Sequence, residues 1–417
     1  MTVRVFLQTF GCRANQYDSE AVVAMVAAGG GVVVDAVADA DVAVFNSCAV
    51  TAAAEADLRQ QVRRAARQQP ALRSIVMGCA SARSPDAIAA LPSVTDVVAG
   101  AAMHAVAAAI GLPASAADAT ASRQRGTRAL LRIQDGCDEH CTFCATTLAR
   151  GANRSRSVDA LVAEATVLAE HHAEIVLTGI HIGTFGSDIG SSLGALVERL
   201  VREVPLVRFR LSSVEATEVD DRLRDLLTTS PLRVAPHLHA PLQSGSDSVL
   251  RRMGRHWYTA RTYADAVERI VGASSGVFGL GADLVVGFPG ETDADHAATC
   301  ALVRSLPFSS LHVFPYSPRP GTAAMRIGGH VPDAVRRERA AELRAIAGCG
   351  TAAYVVQRIG GSADVIVIGH PDGHRDGLTE DYLPVELPQP APPRGARYTA
   401  VLARCDTHFG LVAMPLA

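Results

Sequence analysis

DGCDEHCTFC, residues 135–144, places Cys137, Cys141 and Cys144 close together in a chain that holds only nine cysteines. The segment directly follows the apolar run ALLRIQ, residues 129–134, whose length and composition are typical of a buried strand. In α/β folds, ligands bind at the carboxyl ends of strands. A tight, odd-numbered cysteine set in a reducing compartment favours metal binding or redox chemistry over disulfides. The segment therefore predicts a metal or redox centre at the end of a strand.

The overall composition is that of a globular protein. The chain has 417 residues, of which 48% are hydrophobic, with a formal net charge of −3. Its longest apolar stretches are interrupted by glycine, and its N-terminus lacks the basic flank and cleavage site of a signal peptide. We therefore expect two or three domains, a cytoplasmic location and no membrane partner.

Residues 1–112 alternate short apolar runs with segments of helical periodicity, which predicts a small α/β domain with a mostly parallel sheet. Three cysteines in this part, Cys12, Cys48 and Cys79, each come just after an apolar run. Because the carboxyl ends of parallel strands share one edge of the sheet, these cysteines are expected to meet in space.

The remainder of the chain divides into three parts. Residues 113–127 are rich in Ala, Ser and Thr and look like a linker. Residues 128–351 contain six candidate strands separated mostly by helix-length segments, which predicts an open, partial (β/α)6 barrel rather than a closed eight-unit one. Residues 352–417 carry short β-like runs separated by Gly and Pro, as in a small all-β barrel.

The chemistry of three isolated cysteines narrows the type of centre. Zinc sites are commonly closed by four ligands, whereas three thiolates can hold a 4Fe-4S cluster and leave one iron open. CDEHCTFC has the Cys-x-x-x-Cys-x-x-Cys spacing, with Phe143 before the last cysteine, that is typical of radical S-adenosylmethionine (SAM) enzymes. A zinc site and three incidental thiols are the alternatives.

Several further segments extend this resemblance over nearly the whole chain. TFGCRANQYDSE, NSCAVTAAAE, VMGCAS, HLHAPLQSGSDSVLRRMGRHW and ADLVVGFPGET resemble segments of the radical SAM methylthiotransferases, which convert an inert C–H bond into C–S–CH3. LQTFGCRANQYDSE and HVFPYSPRPGTAA are most similar to the branch that modifies N6-threonylcarbamoyladenosine at position 37 of tRNA, and DGLTEDYLPVELP resembles the family's small RNA-binding (TRAM-like) barrel.

The resemblance implies two 4Fe-4S clusters and SAM as cofactors. Cys137, Cys141 and Cys144 are expected to hold the catalytic cluster that cleaves SAM, whereas a second set, Cys12, Cys48 and Cys79, is expected to hold an auxiliary cluster that carries sulfur. One SAM then methylates that sulfur, and a second supplies the radical that removes hydrogen from carbon 2 of the adenine. An electron donor such as a flavodoxin or a ferredoxin is implied, while the sulfur donor stays undefined.

Five residues are candidates for binding SAM, all near predicted strand ends: Gly179 in LTGIHIG, Ser212 and Glu215 in RLSSVE, and Gln243 and Ser244 in PLQSGS. The resemblance assigns Gly179 to the SAM amino group and Ser212 and Glu215 to the ribose or methionine part. Their alternative interpretation is structural, since glycine after a strand often forms a turn and polar residues often cap strand ends.

A tRNA partner predicts a basic surface, and here the sequence is less informative. The net charge is negative, and the last domain holds fewer arginines than acidic residues. The best candidate RNA contacts are Arg150, Arg154 and Arg156 in ARGANRSRS, directly after the cysteine segment, although arginine clusters are usually just solvated faces. The preceding ATTLARG departs from the Ile-Pro-Tyr that the family commonly has there, which leaves substrate choice open.

Two competing functions remain from the sequence. The first is a sister methylthiotransferase that acts on isopentenyladenosine of tRNA or on an aspartate of a ribosomal protein. The second is a non-catalytic Fe-S or zinc protein that binds RNA. Only the enzymes need an open coordination position, so SAM cleavage separates the two classes.

Overall fold

The computed structural model describes residues 2–49, 52–370, 373–406 and 410–415. Its strands are β1 (Arg4–Thr9), β2 (Val32–Val34), β3 (Val42–Ser47), β4 (Arg73–Gly78), β5 (Val94–Ala99), β6 (Ala129–Arg132), β7 (Gln134–Asp135), β8 (Arg154–Ser155), β9 (Glu174–Thr178), β10 (Arg208–Leu211), β11 (His237–His239), β12 (Gly279–Val286), β13 (Ser310–Pro315), β14 (Ser362–Gly369), β15 (Arg375–Leu378), β16 (Pro384–Val385), β17 (Arg397–Arg404) and β18 (Leu411–Pro415).

The α-helices are α1 (Arg13–Ala28), α2 (Ala52–Gln68), α3 (Cys79–Arg83), α4 (Pro85–Ala89), α5 (Met103–Ile110), α6 (Thr146–Arg150), α7 (Val158–Ala169), α8 (Leu193–Glu203), α9 (Asp221–Thr229), α10 (Asp247–Arg252), α11 (Ala260–Gly272), α12 (Asp293–Ser305) and α13 (Asp333–Arg358). Within the described ranges, none of these helices is both long and apolar enough to cross a membrane.

The first unit is an α/β layer structure with a parallel five-stranded sheet, in the order β2-β1-β3-β4-β5. Helices α1 and α5 pack their apolar residues on one face, and α2 and α4 cover the other. Strands β1, β3 and β4 are neighbours, and a cysteine follows each of them. The order of the strands, which the sequence did not define, therefore brings the three cysteine loops to one place.

The central unit is an open barrel of six parallel strands. Strands β6, β9 and β10 form one half and β11, β12 and β13 the other, and bridges from Phe209 to Val234 and from Ser213 to His239 join the halves. Helices α7 to α12 each begin after a Ser, Thr or Asp whose side chain accepts a backbone N–H of the first turn, which satisfies donors that helix ends leave free. The predicted partial barrel is confirmed.

The last unit is a curled antiparallel sheet in the order β16-β15-β14-β17-β18. Glu386, just after β16, pairs with Val412 in β18, so the sheet closes on itself as expected for a small barrel. Helix α13 continues through the expected boundary at residues 351/352 and ends at Arg358. It therefore connects the central and last units without a break.

The predicted linker, residues 113–127, is packed against its neighbours. It contains a 3-10 turn at Ala114–Asp118. Gln124 is 4% exposed, and its side-chain amide both accepts from the backbone N–H of Leu130 and donates to the carbonyl of Leu130. The backbone N–H of Arg125 donates to Glu20 of α1. These contacts fix the first unit on the central one.

A buried ion cluster fixes the last unit. The Glu174 carboxylate accepts hydrogen bonds from Arg208 (2.7 Å) and Arg210 (2.8 Å), and all three side chains are fully buried. The same two guanidinium groups donate to the carbonyls of Asp364 and Thr379 in the last barrel. Because a buried charge without a partner is costly, this arrangement specifies how the two barrels dock.

Candidate active site between two cysteine sets

The loop that carries Cys137, Cys141 and Cys144 is held by backbone hydrogen bonds on both sides. The N–H of Cys137 donates to the Gly151 carbonyl (3.0 Å), and that of Thr142 donates to the Met253 carbonyl (2.8 Å). The three thiols are free and half-buried. Phe143 packs edge-on against Phe288 with 6.3 Å between ring centroids, so the aromatic residue inside the motif anchors the loop to the barrel.

Two charged side chains face these thiols. Arg255 approaches Cys141, with 3.5 Å between Nη1 and Sγ, and forms a buried ion pair with Glu215. Burial raises the pKa of Cys141 to about 12, although Arg255 opposes that rise. His181 lies 3.5 Å from Cys137 Sγ and 2.8 Å from Glu218; burial acts to lower its pKa, but the hydrogen bonds to Cys137 and Glu218 raise it to about 10.

The second cysteine set lies at the carboxyl edge of the first sheet. Cys12 precedes α1, Cys48 follows β3, and Cys79 begins α3. Gly11 has a φ of +96°, and a Cβ there would lie 2.6 Å from the Cβ and Sγ of Cys48, so only glycine fits between the first two loops. Burial raises the pKa of the Cys79 thiol, Arg150 opposes that rise, and Cys12 and Cys48 add smaller contributions that raise it. The strand order and the close approach of Gly11 to Cys48 therefore place the three cysteines at one edge of the sheet.

Arg150 connects the two cysteine sets, which corrects its expected role in RNA binding. It is 5% exposed and ends the helix that follows Cys144. Its guanidinium contacts Cys79 Sγ (3.4 Å), Asn15 (3.0 Å) and Asp18 (2.9 Å) of the first unit. A side chain buried against a thiol and a carboxylate is not available to a phosphate, so Arg150 is a structural link between the domains.

The two neighbouring arginines differ from each other. Arg156 is half-buried and donates to Glu164 (2.7 Å) and to the Tyr17 hydroxyl (3.1 Å). The Arg154 side chain is 63% exposed and has a carboxylate of Asp135 only at 3.9 Å. Of the three predicted RNA contacts, Arg154 is thus the one that the surface presents.

A cleft of about 560 Å³ opens between the first unit, the central barrel and the last barrel. Residues from all three units line it: Gly11, Cys12, Arg13, Ala14, Thr178, Gly179, Ile180, Ser212, Ser213, His237, His239, Asp283, His312, Phe314 and Tyr382. It includes one ligand candidate of the auxiliary set and two of the predicted SAM residues, Gly179 and Ser212. The cleft therefore brings a cysteine of the auxiliary set together with two predicted SAM residues, whereas Cys137, Cys141 and Cys144 are not among the residues that line it.

Gly179 also has a packing reason to be glycine. A Cβ at this position would lie 2.7 Å from the carbonyl oxygen of Gln134 and 2.7 Å from Ile182, which is closer than side chains tolerate. The Gln134 amide oxygen accepts the N–H groups of Ile180 and His181 (3.0 and 2.9 Å). The end of β9 is thus held against the strand that leads into the cysteine loop.

The other predicted SAM residues are placed differently. Glu215 is paired with Arg255 behind Cys141 and is 6% exposed. Gln243 has a φ of +62°, and its backbone N–H donates to the Asp283 carbonyl. Ser244 is 2% exposed, and its hydroxyl lies 3.3 Å from that of Thr299, so this side chain does not reach the cleft.

Comparison with known proteins is consistent with this layout. Residues 4–100 match the family described as Uncharacterized protein family UPF0004, and residues 131–303 match the Radical SAM superfamily. Threonylcarbamoyladenosine tRNA methylthiotransferase MtaB of Thermotoga maritima is 36% identical over 81% of this chain and 80% of its own length. This chain belongs to the radical SAM methylthiotransferases.

Other methylthiotransferases support the assignment. The proteins named MtaB from Bacillus subtilis and Rickettsia prowazekii are 37% and 32% identical over 82% and 92% of this chain, and over 80% and 91% of their own lengths. A solved structure of the cobalamin-dependent radical SAM enzyme OxsB with aqua-cobalamin and SAM bound has a TM-score of 0.50 at 11% identity, over 83% of this chain and 56% of that one. At this identity the likeness concerns the fold alone.

Methylthiotransferase membership implies SAM and two 4Fe-4S clusters, and the residues fit these groups. Each cysteine set offers three thiols that form no disulfide. Each also has one buried arginine, Arg255 or Arg150, whose guanidinium N–H donates toward a sulfur atom, and such a hydrogen bond is strengthened when the sulfur is a thiolate. The thiols and the N–H groups directed at them therefore suit an iron-sulfur group at both places.

Sequence patterns did not identify several residues of this site. His181 and Arg255, which contact the cysteines, and Arg13 and Tyr382, which line the cleft, have no spacing rule that marks them. For one of these residues the sequence held a signal of a site position, since His181 follows a predicted strand end, two residues after Gly179.

Proposed function

We propose that this methylthiotransferase converts N6-threonylcarbamoyladenosine at position 37 of tRNA to its 2-methylthio derivative, with SAM as methyl donor and radical source. The observation that carries the proposal is the shared cleft, in which Cys12 of one cysteine set and the SAM-side residues Gly179 and Ser212 line the same cavity. The relatives named for this activity extend over about four-fifths of the chain or more, which supports the choice of substrate.

Within this proposal, Cys137, Cys141 and Cys144 hold the catalytic cluster, and Cys12, Cys48 and Cys79 hold the auxiliary one. When bound, these groups supply reductive cleavage of SAM and the sulfur that is transferred. The protein itself positions the loops that hold these groups. Phe143 anchors the first loop to the barrel, and Gly11 lets two loops of the second set approach each other. Gly179, Ser212, Glu215 and Gln243 remain candidates for SAM contacts.

The three units have distinct roles in the proposal. Residues 1–112 hold the auxiliary site, residues 128–351 cleave SAM, and residues 352–417 close the cleft over the RNA, with 113–127 as connector. Tyr382, in the loop between β15 and β16, lines the cleft from the last barrel. Arg154 is the proposed phosphate contact, because its side chain is exposed.

An electron donor and a cellular location also belong to the proposal. Reductive cleavage of SAM consumes one electron, so an electron donor such as a flavodoxin or a ferredoxin is required. A cytoplasmic location follows from the tRNA substrate.

The test is an anaerobic reconstitution with iron and sulfide, followed by reductant, SAM and tRNA that carries threonylcarbamoyladenosine. We expect about eight irons per chain and the 2-methylthio nucleoside by mass spectrometry. Cys144→Ala is expected to lose formation of 5′-deoxyadenosine, whereas Cys349→Ala serves as control, since Cys349 is an exposed cysteine of α13 far along the chain from both sets.

The outcomes separate the competing functions. If SAM is cleaved but the nucleoside stays unmodified while isopentenyladenosine tRNA is converted, the chain is a sister enzyme. If a ribosomal-protein aspartate is the acceptor, the product appears in the peptide fraction. Absence of both iron and SAM cleavage would contradict the enzyme function itself.

A further inference from the structure

The cleft contains one positive charge without a carboxylate partner. Arg13, the first residue of α1, is half-buried and lines the cavity. In the part of the chain that the structure describes, no acidic side chain forms an ion pair with it. The cleft's acidic residue, Asp283, is instead occupied by His239 and His312, each with a nitrogen 3.1 Å from the same carboxylate oxygen. The cleft therefore has an unbalanced cation at Arg13.

Tyr382 adds a hydrogen-bond donor at the same place. Nη2 of Arg13 donates to the Tyr382 hydroxyl oxygen (2.8 Å), so the hydroxyl acts as acceptor there and its own proton is left to donate. The Tyr382 ring stacks on His237 with 4.6 Å between centroids. Its φ is +75°, a strained conformation for a residue other than glycine, and such strain persists where the surroundings fix it.

The surroundings of Tyr382 are strongly positive. The guanidinium carbons of Arg13, Arg128 and Arg210 lie 5.1 to 5.9 Å from its ring centroid. Burial acts to raise the pKa of Tyr382, but these three charges outweigh burial and lower it. Arg128 and Arg210 are both paired with Glu174, so Arg13 is the member of this group left for a ligand.

The chemistry of the proposed substrate matches this corner. The threonylcarbamoyl group carries a free carboxylate and is attached to N6 of the adenine. Carbon 2, where sulfur is added, and carbon 6, which bears N6, flank the same ring nitrogen, so both lie on one edge of the base. A base whose carbon 2 faces the Cys12 site therefore directs its N6 substituent along the wall next to that site. Arg13 directly follows Cys12 in the chain.

We propose that Arg13 and Tyr382 form a subsite for the carboxylate of the threonylcarbamoyl group. Arg13 donates through its guanidinium and Tyr382 through its hydroxyl, and together they distinguish this anionic substrate from adenosines with a neutral N6 substituent. The inference rests on the proposed function and names the residues that set its substrate specificity.

The test measures binding without turnover, with the full reconstituted protein and anticodon stem-loops in the absence of reductant. Three stem-loops are compared: one with threonylcarbamoyladenosine, one with its neutral methyl ester, and one with unmodified adenosine. We expect the wild type to prefer the acid over the ester by about ten- to a hundredfold, as for a charge-assisted pair. Arg13→Gln should reduce this ratio to about threefold or less, and Tyr382→Phe, which retains the ring, should reduce it partly.

Two controls separate effects on folding and cluster loading from effects on the subsite. Arg63→Gln changes an exposed arginine of α2 and should leave the ratio unchanged. Iron content is measured for every variant, and if Arg13→Gln loses iron, the acid-to-ester ratio of Tyr382→Phe decides, since Tyr382 is remote from the cysteines in sequence.

Three results would overturn the subsite. Equal binding of acid and ester by the wild type removes the need for it. Equal weakening of all three stem-loops by Arg13→Gln assigns Arg13 to a phosphate or to the fold. The third result comes from the turnover assay with reductant that tests the proposed function. Failure to methylthiolate threonylcarbamoyladenosine tRNA in that assay overturns the proposed function as well, whereas methylthiolation combined with equal binding of acid and ester overturns the subsite alone.

Discussion

Replacing Arg150 by methionine should loosen the contact between the first unit and the central barrel. Arg150 donates to Asp18 (2.9 Å), Asp135 (3.3 Å) and Asn15 (3.0 Å), and it contacts Cys79. Removing one partner of a buried ion pair costs about 3–5 kcal/mol when the other charge is left alone. Asp18 is fully buried but keeps Arg132 as a second partner, so the expected cost is lower, about 2–3 kcal/mol.

Native-state hydrogen exchange measures this cost locally, which suits a chain of several domains. A loss of about 2–3 kcal/mol raises the open population roughly 30- to 150-fold, and this change should appear in the amides of α1 and α6. Amides of β14 and β17 in the last barrel are the internal reference. Arg150→Lys, which keeps the charge but not the planar fork, should show an intermediate effect.

Arg154→Met is the matched control, since Arg154 lies four residues further along and its side chain is 63% exposed. It should leave exchange in α1 unchanged but reduce the salt dependence of tRNA binding by about one counterion, whereas Arg150→Met should leave that dependence unchanged. Equal exchange in the two variants, or an equal change in the last barrel, would refute the assignment of Arg150 as an interdomain link.

Three other predictions follow from the structure. Alanine at Cys48 should remove about half of the iron while SAM cleavage continues, as measured by iron analysis and 5′-deoxyadenosine, whereas alanine at Cys349 should change neither. Gly11→Ala should impair iron loading of the first unit, because the added Cβ would lie 2.6 Å from Cys48. Gly30→Ala is the control: Gly30 also has a positive φ, but a Cβ there would have nothing within 4 Å, so this variant should bear only backbone strain of about 1–3 kcal/mol. Equal iron content in the two variants would contradict this explanation. Glu174→Gln should lower the melting temperature by several degrees at neutral pH, in line with about 3–5 kcal/mol. Burial acts to raise the pKa of Glu174, but Arg210 and Arg208 hold it well below 4.5. The stabilisation that the ionised Glu174 contributes is therefore present above pH 4.5 and is lost as the pH falls through the folded-state pKa. The difference in melting temperature between variant and wild type should shrink in acid, and a constant difference would contradict this explanation.

Much of this molecule is decided locally along the chain. The apolar runs that predict β1, β3 and β4, and the six strands of the partial barrel, occur where the structure has them, because strand periodicity depends on neighbouring residues. The boundary near residue 351 was less well defined, since α13 has helical composition on both sides and ends only at Arg358. The short strand β15 carried too little apolar pattern to be predicted.

The candidate site divides in the same way. The sequence by itself predicted the six cysteines as ligands, because the spacing in CDEHCTFC and the strand-end positions of Cys12, Cys48 and Cys79 are local properties, and the family resemblance predicted the type of centre. The sequence did not determine which charged side chains are exposed. Arg150 and Arg154 have equal charge and nearly equal positions, yet only the second is exposed. Only the tertiary structure placed Arg13 against Tyr382, which lies 369 residues further along the chain. This contact forms because the last barrel docks through the buried Glu174 cluster, and no local sequence pattern encodes such a long-range contact.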